Sequence, residues 1–215
     1  SSAIKIDRVA PTTNINLDGT LGDNGWYKTD VTVNLTVSDG LSGVNVTQYR
    51  VFQSGSGWGV WTDYTGNFTV SIEGVNYVEY NSTDNAGNVE TTHNQTVKID
   101  KTAPSTTTLA KNPSSPDGNN NWYVSAVTIT LSPSDGVSGI NYTKYRIFQS
   151  GIGWGAWTTY TGAFTLSGNG TYYVEYNATD NAGNTETTGN SSAIKIDRVA
   201  PTTNINLDGT LGDNG

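Results

Sequence analysis

The first 25 residues of the chain recur without a change at its other end. Residues 1–25 and 191–215 both read SSAIKIDRVAPTTNINLDGTLGDNG. A diverged copy lies between them, since YRVFQSGSGWGVWTDYTGNFT at 49–69 corresponds to YRIFQSGIGWGAWTTYTGAFT at 145–165. Self-similarity at a fixed spacing is the signature of a repeat architecture, which here has units of about 95 residues and a longer repeat of about 190 residues.

The boundaries of the units follow from three aspartates that mark the same point in successive copies: Asp7, Asp100 and Asp197. They divide the chain into four segments. Residues 1–7 are the last strand of a preceding unit, 8–100 a first domain, 101–197 a second domain, and 198–215 the first strand of a following unit. A lone strand cannot bury a core of its own. We therefore expect a long tandem array, in which neighbouring copies of the same repeat are partners along a fibre.

Alternation of apolar and polar residues predicts β-strands throughout both units. Val31, Val33 and Leu35 point one way, and the equivalent residues of the second unit are Val127, Ile129 and Leu131. Further strands are predicted in the first unit at 12–17, 46–53, 58–64, 68–72, 76–83 and 90–99. About seven short strands in each unit, separated by turns rich in Gly, Asn and Asp, predict an all-β fold of tandem immunoglobulin-like (fibronectin-III-like) β-sandwich domains.

Composition excludes several classes of function. The chain has no cysteine, so it has no disulfide, no Cys-based zinc site and no Cys nucleophile. Its formal net charge of −8 disfavours a nucleic-acid partner. No apolar run reaches the roughly 18 residues that span a bilayer. The single histidine, His93, is replaced by Gly189 in the second unit, and we expect no enzymatic activity.

Large aromatic residues recur at equivalent positions of the two units. A domain of this size needs large side chains to bury enough apolar area, so we expect these residues to pack in the core and between strands. The alternative is a sugar-stacking platform on the surface. The residues of the first unit are Trp26, Tyr49, Trp58, Trp61, Tyr64, Phe68 and Tyr80.

Two groups of carboxylates are candidate metal ligands. In a sandwich of this strand order, the loop after the second strand, the loop before the last strand and the incoming linker meet at one end. That end would bring together Asp7, Asp39 and Asp84 in the first unit, and Asp100, Asp135 and Asp180 in the second. Asp63 is a further candidate, although Thr159 replaces it in the second unit. Converging carboxylates and turn carbonyls suit Ca²⁺, whereas Asp in such turns also accepts hydrogen bonds from its own backbone.

Nine Asn-x-Ser/Thr sequons make N-linked glycans a second expectation. Several of them lie on the outward face of a predicted strand or occupy matching places in both units. The nine residues are Asn34, Asn45, Asn67, Asn81, Asn94, Asn141, Asn169, Asn177 and Asn190.

The elements SDGxSG, YTGxFT, YVEYxxTDNAGNxE and KIDxxAP together resemble the immunoglobulin-like repeats of prokaryotic surface proteins, of the OmpL47-type and related bacterial Ig-like classes. The resemblance covers both units and implies an extracellular, cell-surface location. It also implies a structural role in a fibre, stalk, sheath or S-layer-like coat, with calcium at domain junctions. An adhesin module that binds glycans or host-cell ligands through surface aromatics is the alternative.

Overall fold

The chain forms two β-sandwich units in succession in a computed structural model that describes residues 3–206, 208 and 209. The predicted all-β fold is confirmed, and one 3₁₀ turn, Asp23–Gly25, interrupts the strands. Described residues 3–11 and 198–206 form no strand, and Ile4 is 89% exposed. The strands predicted at the two ends of the chain lie partly outside the described residues, at 1–2, 207 and 210–215.

The first sandwich, which we call unit 1, has its strands between Thr12 and Ile99 and packs a three-stranded sheet against a six-stranded one. The first sheet has the order β1–β3–β7, formed by β1 (Thr12–Asp18), β3 (Val31–Ser38) and β7 (Phe68–Val70). The second is formed by β2 (Trp26–Tyr27), β9 (His93–Ile99), β8 (Gly74–Asp84), β4 (Val44–Gln53) and β5 (Gly57–Trp58), in that spatial order, with β6 (Thr62–Asp63) also paired to β4. All pairs are antiparallel except β2 with β9.

The second sandwich, which we call unit 2, has its strands between Ser105 and Ile196 and repeats this arrangement. Its first sheet is formed by β10 (Ser105–Asn112), β12 (Val127–Ser134) and β16 (Phe164–Leu166). Its second is formed by β11 (Trp122–Tyr123), β19 (Ile194–Ile196), β17 (Gly170–Asp180), β13 (Ile140–Gln149) and β14 (Gly153–Trp154), in that order, with β15 (Thr158–Thr159) paired to β13 and β18 (Gly189–Asn190) to β17.

The core of each unit lies between its two sheets. Val31 and Val33 of β3 are fully buried against Val78 and Val97 of the opposite sheet. In unit 2, Val127, Ile129 and Leu131 are buried in the same way. Alternate residues of these strands face inward because the side-chain period of a strand is two, which is the pattern seen in the sequence.

A buried carboxylate fixes the first strand of each unit to the opposite sheet. Glu90 Oε1 accepts the backbone N–H of Thr13 at 2.7 Å, and Glu186 Oε2 accepts that of Thr107 at 2.7 Å. His93 Nε2 lies 3.0 Å from Glu90 Oε1. The single histidine of the chain is therefore part of this structural network in unit 1.

Two strands differ from the prediction. The strand predicted at 58–64 is two short strands, β5 and β6, because Gly59 N donates to Val51 O at 2.9 Å and the chain then leaves the ladder. The strand predicted at 90–99 begins at His93. Its equivalent in unit 2 is split into β18 and β19, since Ser191 Oγ accepts from Val174 N at 2.9 Å in place of a strand carbonyl.

Candidate metal site and inter-unit junction

Three carboxylates meet at the end of unit 1 where the incoming linker arrives. Asp39 lies in the turn between β3 and β4, Asp84 ends β8, and Asp7 belongs to the linker. One oxygen of each carboxylate lies within 4.8 Å of the others. The chain thus places together the three residues predicted from the sequence, at a spacing that one cation could bridge.

Most of these oxygens also accept hydrogen bonds from nearby turns. Asp84 Oδ1 accepts from Ala86 N at 2.9 Å and from Asn88 N at 2.8 Å. Asp7 Oδ2 accepts from Ser42 N at 2.9 Å, and Asp39 Oδ1 accepts from Gly43 N at 2.6 Å. The hydrogen bonds of the described residues leave Asp39 Oδ2 free. The carboxylates therefore shape their turns and still have lone pairs for a ligand.

The second cluster, Asp100, Asp135 and Asp180, has the same geometry but is more deeply buried. Its carboxylate oxygens also lie within 4.8 Å of one another. Asp100 Oδ2 accepts from Ser138 N at 3.1 Å, and Asp135 Oδ1 accepts from Gly139 N at 2.7 Å. Asp100 and Asp180 are both fully buried.

The pKa values of Asp100 and its equivalent Asp7 shift in opposite directions, and the two shifts have different causes. Burial raises the pKa of Asp100 above 3.8, assisted by the charges of Asp180 and Asp135. Ionised Asp100 therefore costs the apo protein stability as the pH rises through that raised pKa. Hydrogen bonds to Val9 and Ser42 instead lower the pKa of Asp7, so its contribution to stability is lost as the pH falls through the lowered value.

The donor set fits a hard cation. Three carboxylates in a buried cluster repel one another, and a divalent ion removes that cost. Two hydroxyl oxygens next to the clusters, Ser42 Oγ and Ser138 Oγ, are buried without a hydrogen-bond partner. Asp63 does not join the cluster, because it lies on β6 and its Oδ1 accepts from Gln48 Nε2 at 2.8 Å.

Unit 1 contacts unit 2 at the end of unit 2 that carries the second acidic cluster. The contact is made by a loop that the sequence did not mark as an interface. We call residues 22–25 the docking loop and residues 181–184 the receiving loop. Asp23 N donates to Ala182 O at 3.0 Å, and Asn24 Nδ2 donates to Asn181 O at 3.0 Å. Lys28, just after the docking loop, donates from Nζ to Gly183 O at 3.0 Å.

The linker between the units is held by hydrogen bonds on both sides. Asp100 N donates to Tyr27 O of unit 1 at 2.9 Å, while its carboxylate accepts from Ser138 N of unit 2. Lys101 Nζ pairs with Asp30 Oδ1 at 2.8 Å and donates to Ser71 O at 2.9 Å, both in unit 1. The linker backbone and side chains therefore bridge the two sandwiches.

A comparison of equivalent residues shows what the junction covers. Ala182 of unit 2 is fully buried, whereas its equivalent Ala86 in unit 1 is exposed. Leu41 is 72% exposed, whereas its equivalent Val137 is only partly exposed. Since the receiving ends have nearly the same sequence, the difference comes from the presence of unit 1 next to unit 2.

The indole pairs of the two units lie outside the core, and Trp58 instead packs between strands against Phe52, with ring centres 5.5 Å apart. Trp58 is 41% exposed and Trp61 is 37% exposed. The Arg50 guanidinium lies 4.6 Å from the centre of the Trp58 ring and 4.9 Å from that of Trp61, and it pairs with Glu79. Unit 2 has the same arrangement, formed by Arg146, Trp154, Trp157 and Glu175.

These cation–π contacts occupy one face of each indole. The signal in the sequence was the recurrence of Tyr-Arg on one strand and Trp-x-x-Trp in the following hairpin. The predicted core positions Trp26 and Tyr80 are buried, at 8% and 7% exposure.

All nine sequon asparagines are at least partly exposed. Asn81 Nδ2 donates to Thr92 Oγ1 at 3.0 Å, and Asn177 Nδ2 donates to Thr188 Oγ1 at 3.3 Å. Each sequon can therefore be reached from solvent, and glycosylation remains a prediction.

No family model matches the sequence, and no curated protein matches it. Among solved structures, the chain is similar to the fibronectin(III)-like modules of Clostridium thermocellum CbhA, with 12% identity, coverage of 85% of this chain and 93% of that one, and a TM-score of 0.34. It is similar to the D00–D0 domain of intimin, with 15% identity, coverage of 85% and 99%, and a TM-score of 0.37. The third is the chitinase ChiA74 from Bacillus thuringiensis, with 18% identity, coverage of 90% and 29%, and a TM-score of 0.30.

Among the described residues, no helix has the length and apolar character needed to cross a membrane.

Proposed function

We propose that this chain is part of an extracellular structural protein whose immunoglobulin-like units stack end to end. Such an array would act as a stiff spacer in a fibre, stalk, sheath or S-layer-like coat. The observation that carries the proposal is the junction between the units, where the docking loop buries Ala182 while the equivalent Ala86 stays exposed. In a repeat protein, contacts between nearest neighbours of this kind propagate along the whole array.

The contacts of the linker support stiffness in particular. A flexible linker lets domains tumble independently. Here Asp100 is hydrogen-bonded to both units, and Lys101 is bonded to unit 1. The linker also contains the Ala103–Pro104 dipeptide, in which proline fixes its own φ and restricts the residue before it.

We propose calcium as the ion of the two acidic clusters. Oxygen ligands alone, with carboxylates in the majority, are the set that Ca²⁺ prefers. In the part of the chain that the structure describes, the turn hydrogen bonds of Asp39 and Asp135 go to Oδ1 and leave Oδ2 available. Asp100 belongs to the linker, so a cation held by Asp100, Asp135 and Asp180 would tie the linker to unit 2 and stiffen the junction.

The adhesin alternative has less support. Arg50 and Arg146 lie against the tryptophans that would stack on a sugar. A catalytic role also has little support, because the hydroxyls nearest the single histidine network, Thr13 and Ser82, are buried inside the sandwich.

We expect N-linked glycans on the protein isolated from its natural source. Intact-mass measurement before and after enzymatic removal of N-glycans should show a decrease in mass, with the attachment sites among the nine sequons. A mass equal to that of the bare polypeptide before treatment would contradict this expectation.

Residual dipolar couplings test the proposed rigid stacking. If the units form one stiff rod, couplings from both sandwiches should fit a single alignment tensor in a weakly aligning medium. Two independent tensors of different magnitude would mean that the units reorient freely, and the proposal of a stiff spacer would then be wrong. Couplings within each unit serve as the control, since they should fit the sandwich in either case.

A further inference from the structure

The free end of unit 2 carries a second copy of the docking loop. Residues 118–121 of unit 2 are equivalent to residues 22–25, and we call them the second docking loop. Gly118 N donates to Trp122 O at 2.9 Å, as Gly22 N donates to Trp26 O at 2.7 Å. The two loops are closed by the same hydrogen bond.

The backbone of the two loops also agrees at its two unusual positions. Asn24 has φ 52° and Gly25 has φ 73°, while Asn120 has φ 54° and Asn121 has φ 63°. Side chains other than glycine rarely adopt this left-handed conformation, and asparagine tolerates it best. Unit 2 thus holds the shape of the docking loop although the sequence differs.

The exposed end of unit 1 carries the matching surface. Residues 85–88 have the same conformation as the receiving loop, and we call them the second receiving loop. Asp84 N donates to Asn88 O at 3.1 Å, as Asp180 N donates to Asn184 O at 3.0 Å. Gly87 has φ 91° and Gly183 has φ 85°. Ala86 and Leu41 are exposed at this end.

We propose that the second docking loop binds the second receiving loop of a further copy of unit 1, which follows unit 2 in the array. This inference rests on the proposed end-to-end stacking and names the surfaces and the partner of the other junction. By analogy with the observed contacts, Asn119 N would donate to the carbonyl of Ala86, and Asn120 Nδ2 would donate to the carbonyl of Asn85.

The second junction would be held by fewer contacts than the first. Val124 and Ala126 take the places of Lys28 and Asp30, so both the lysine bond to the receiving loop and the ion pair with the linker are missing. Arg198 retains the linker contact, since its Nη1 donates to Ser167 O at 3.1 Å. The array would therefore alternate a stronger junction with a weaker one, at a period of one double unit.

Residue-resolved hydrogen exchange in an extended chain tests this inference. A second copy of residues 26–215 is joined after Gly215. Because 191–215 repeats 1–25, the joining point has the natural repeat sequence. We expect the Asn119 amide of the first copy to exchange at least about tenfold more slowly than in the 215-residue chain, because a new hydrogen bond must open before exchange.

The matched variants are Ala86→Leu in the appended copy and Ala86→Leu in the original copy. The first should restore fast exchange at Asn119, because the larger side chain blocks the docking loop, and the second should have no effect. Equal Asn119 exchange in the short and extended chains overturns the inference. The Asp23 amide in the same samples separates the two proposals: if Asp23 is protected and Asn119 is not, only the second junction fails, whereas loss of protection at both contradicts the end-to-end stacking as well.

Discussion

Replacing Gly22 with alanine should uncouple the two units without unfolding either of them. A Cβ at this position would collide with the carbonyl oxygen of Ala182 in the receiving loop. Its other near contact is the Lys28 side chain, which can rotate away. The collision with a backbone atom across the junction must therefore be relieved by separating the units.

The expected loss follows from the contacts that would break. The receiving loop accepts three direct hydrogen bonds from unit 1, donated by Asp23, Asn24 and Lys28. At about 1 kcal/mol net for each bond, the coupling lost is about 3 kcal/mol. For a domain of this size, that corresponds to a decrease in melting temperature of unit 2 on the order of 10 °C.

Differential scanning calorimetry of the Gly22→Ala variant measures this change. The Gly40→Ala variant is the matched control, because a Cβ at that exposed glycine meets no atom within 4 Å. We expect Gly40→Ala to unfold like the parent chain. If Gly22→Ala also leaves the unfolding transitions unchanged, the loop contact does not couple the units.

Calcium should raise the melting temperature, and the increase should depend on the free carboxylate oxygen of each cluster. An ion that binds only the folded state at 100 times its Kd stabilises it by about 2.7 kcal/mol. This corresponds to an increase of roughly 10 °C or more for a domain of this size. Melting in EDTA and then in excess Ca²⁺ measures the increase.

The Asp135→Asn variant tests whether Asp135 binds a metal ion or only shapes its turn. The amide oxygen of asparagine can still accept the hydrogen bonds that Asp135 Oδ1 receives from Val137 N and Gly139 N. The amide nitrogen that replaces Oδ2 cannot bind a cation. In EDTA the variant should therefore melt close to the parent chain, and in Ca²⁺ the stabilisation of unit 2 should be lost.

Asp39→Asn is the equivalent change in unit 1 and should affect only that unit. Two results would contradict the proposed calcium sites. One is a parent melting temperature that is the same in EDTA and Ca²⁺. The other is an equal effect of Asp135→Asn under both conditions, which would assign the aspartate to the turn alone.

The alternation of Val31, Val33 and Leu35 predicted a strand and its buried face, because the side-chain period of a strand is a local property. The convergence of Asp7, Asp39 and Asp84 could also be predicted, since strand order alone determines which loops share an end of a sandwich. Both predictions depend only on residues within a single unit.

The docking loop could not be predicted in this way. The contacts of Gly22 and Asn24 depend on how two units are placed, and nothing local marks residues 22–25 as an interface. Large aromatics usually fill a core, but Trp58 and Trp61 lie outside it, where the Arg50 guanidinium packs against both indoles.

The axial repeat of a longer array tests end-to-end stacking most directly. The longest strand of each unit has 11 residues, as in Gly74–Asp84. At about 3.3 Å per residue, a unit with its loops spans roughly 30–40 Å, and the double unit should advance about 60–80 Å along the array. Electron microscopy of the array should show this repeat. An advance of about 40 Å or less for each double unit would mean that the units lie side by side, which would contradict the stacked arrangement.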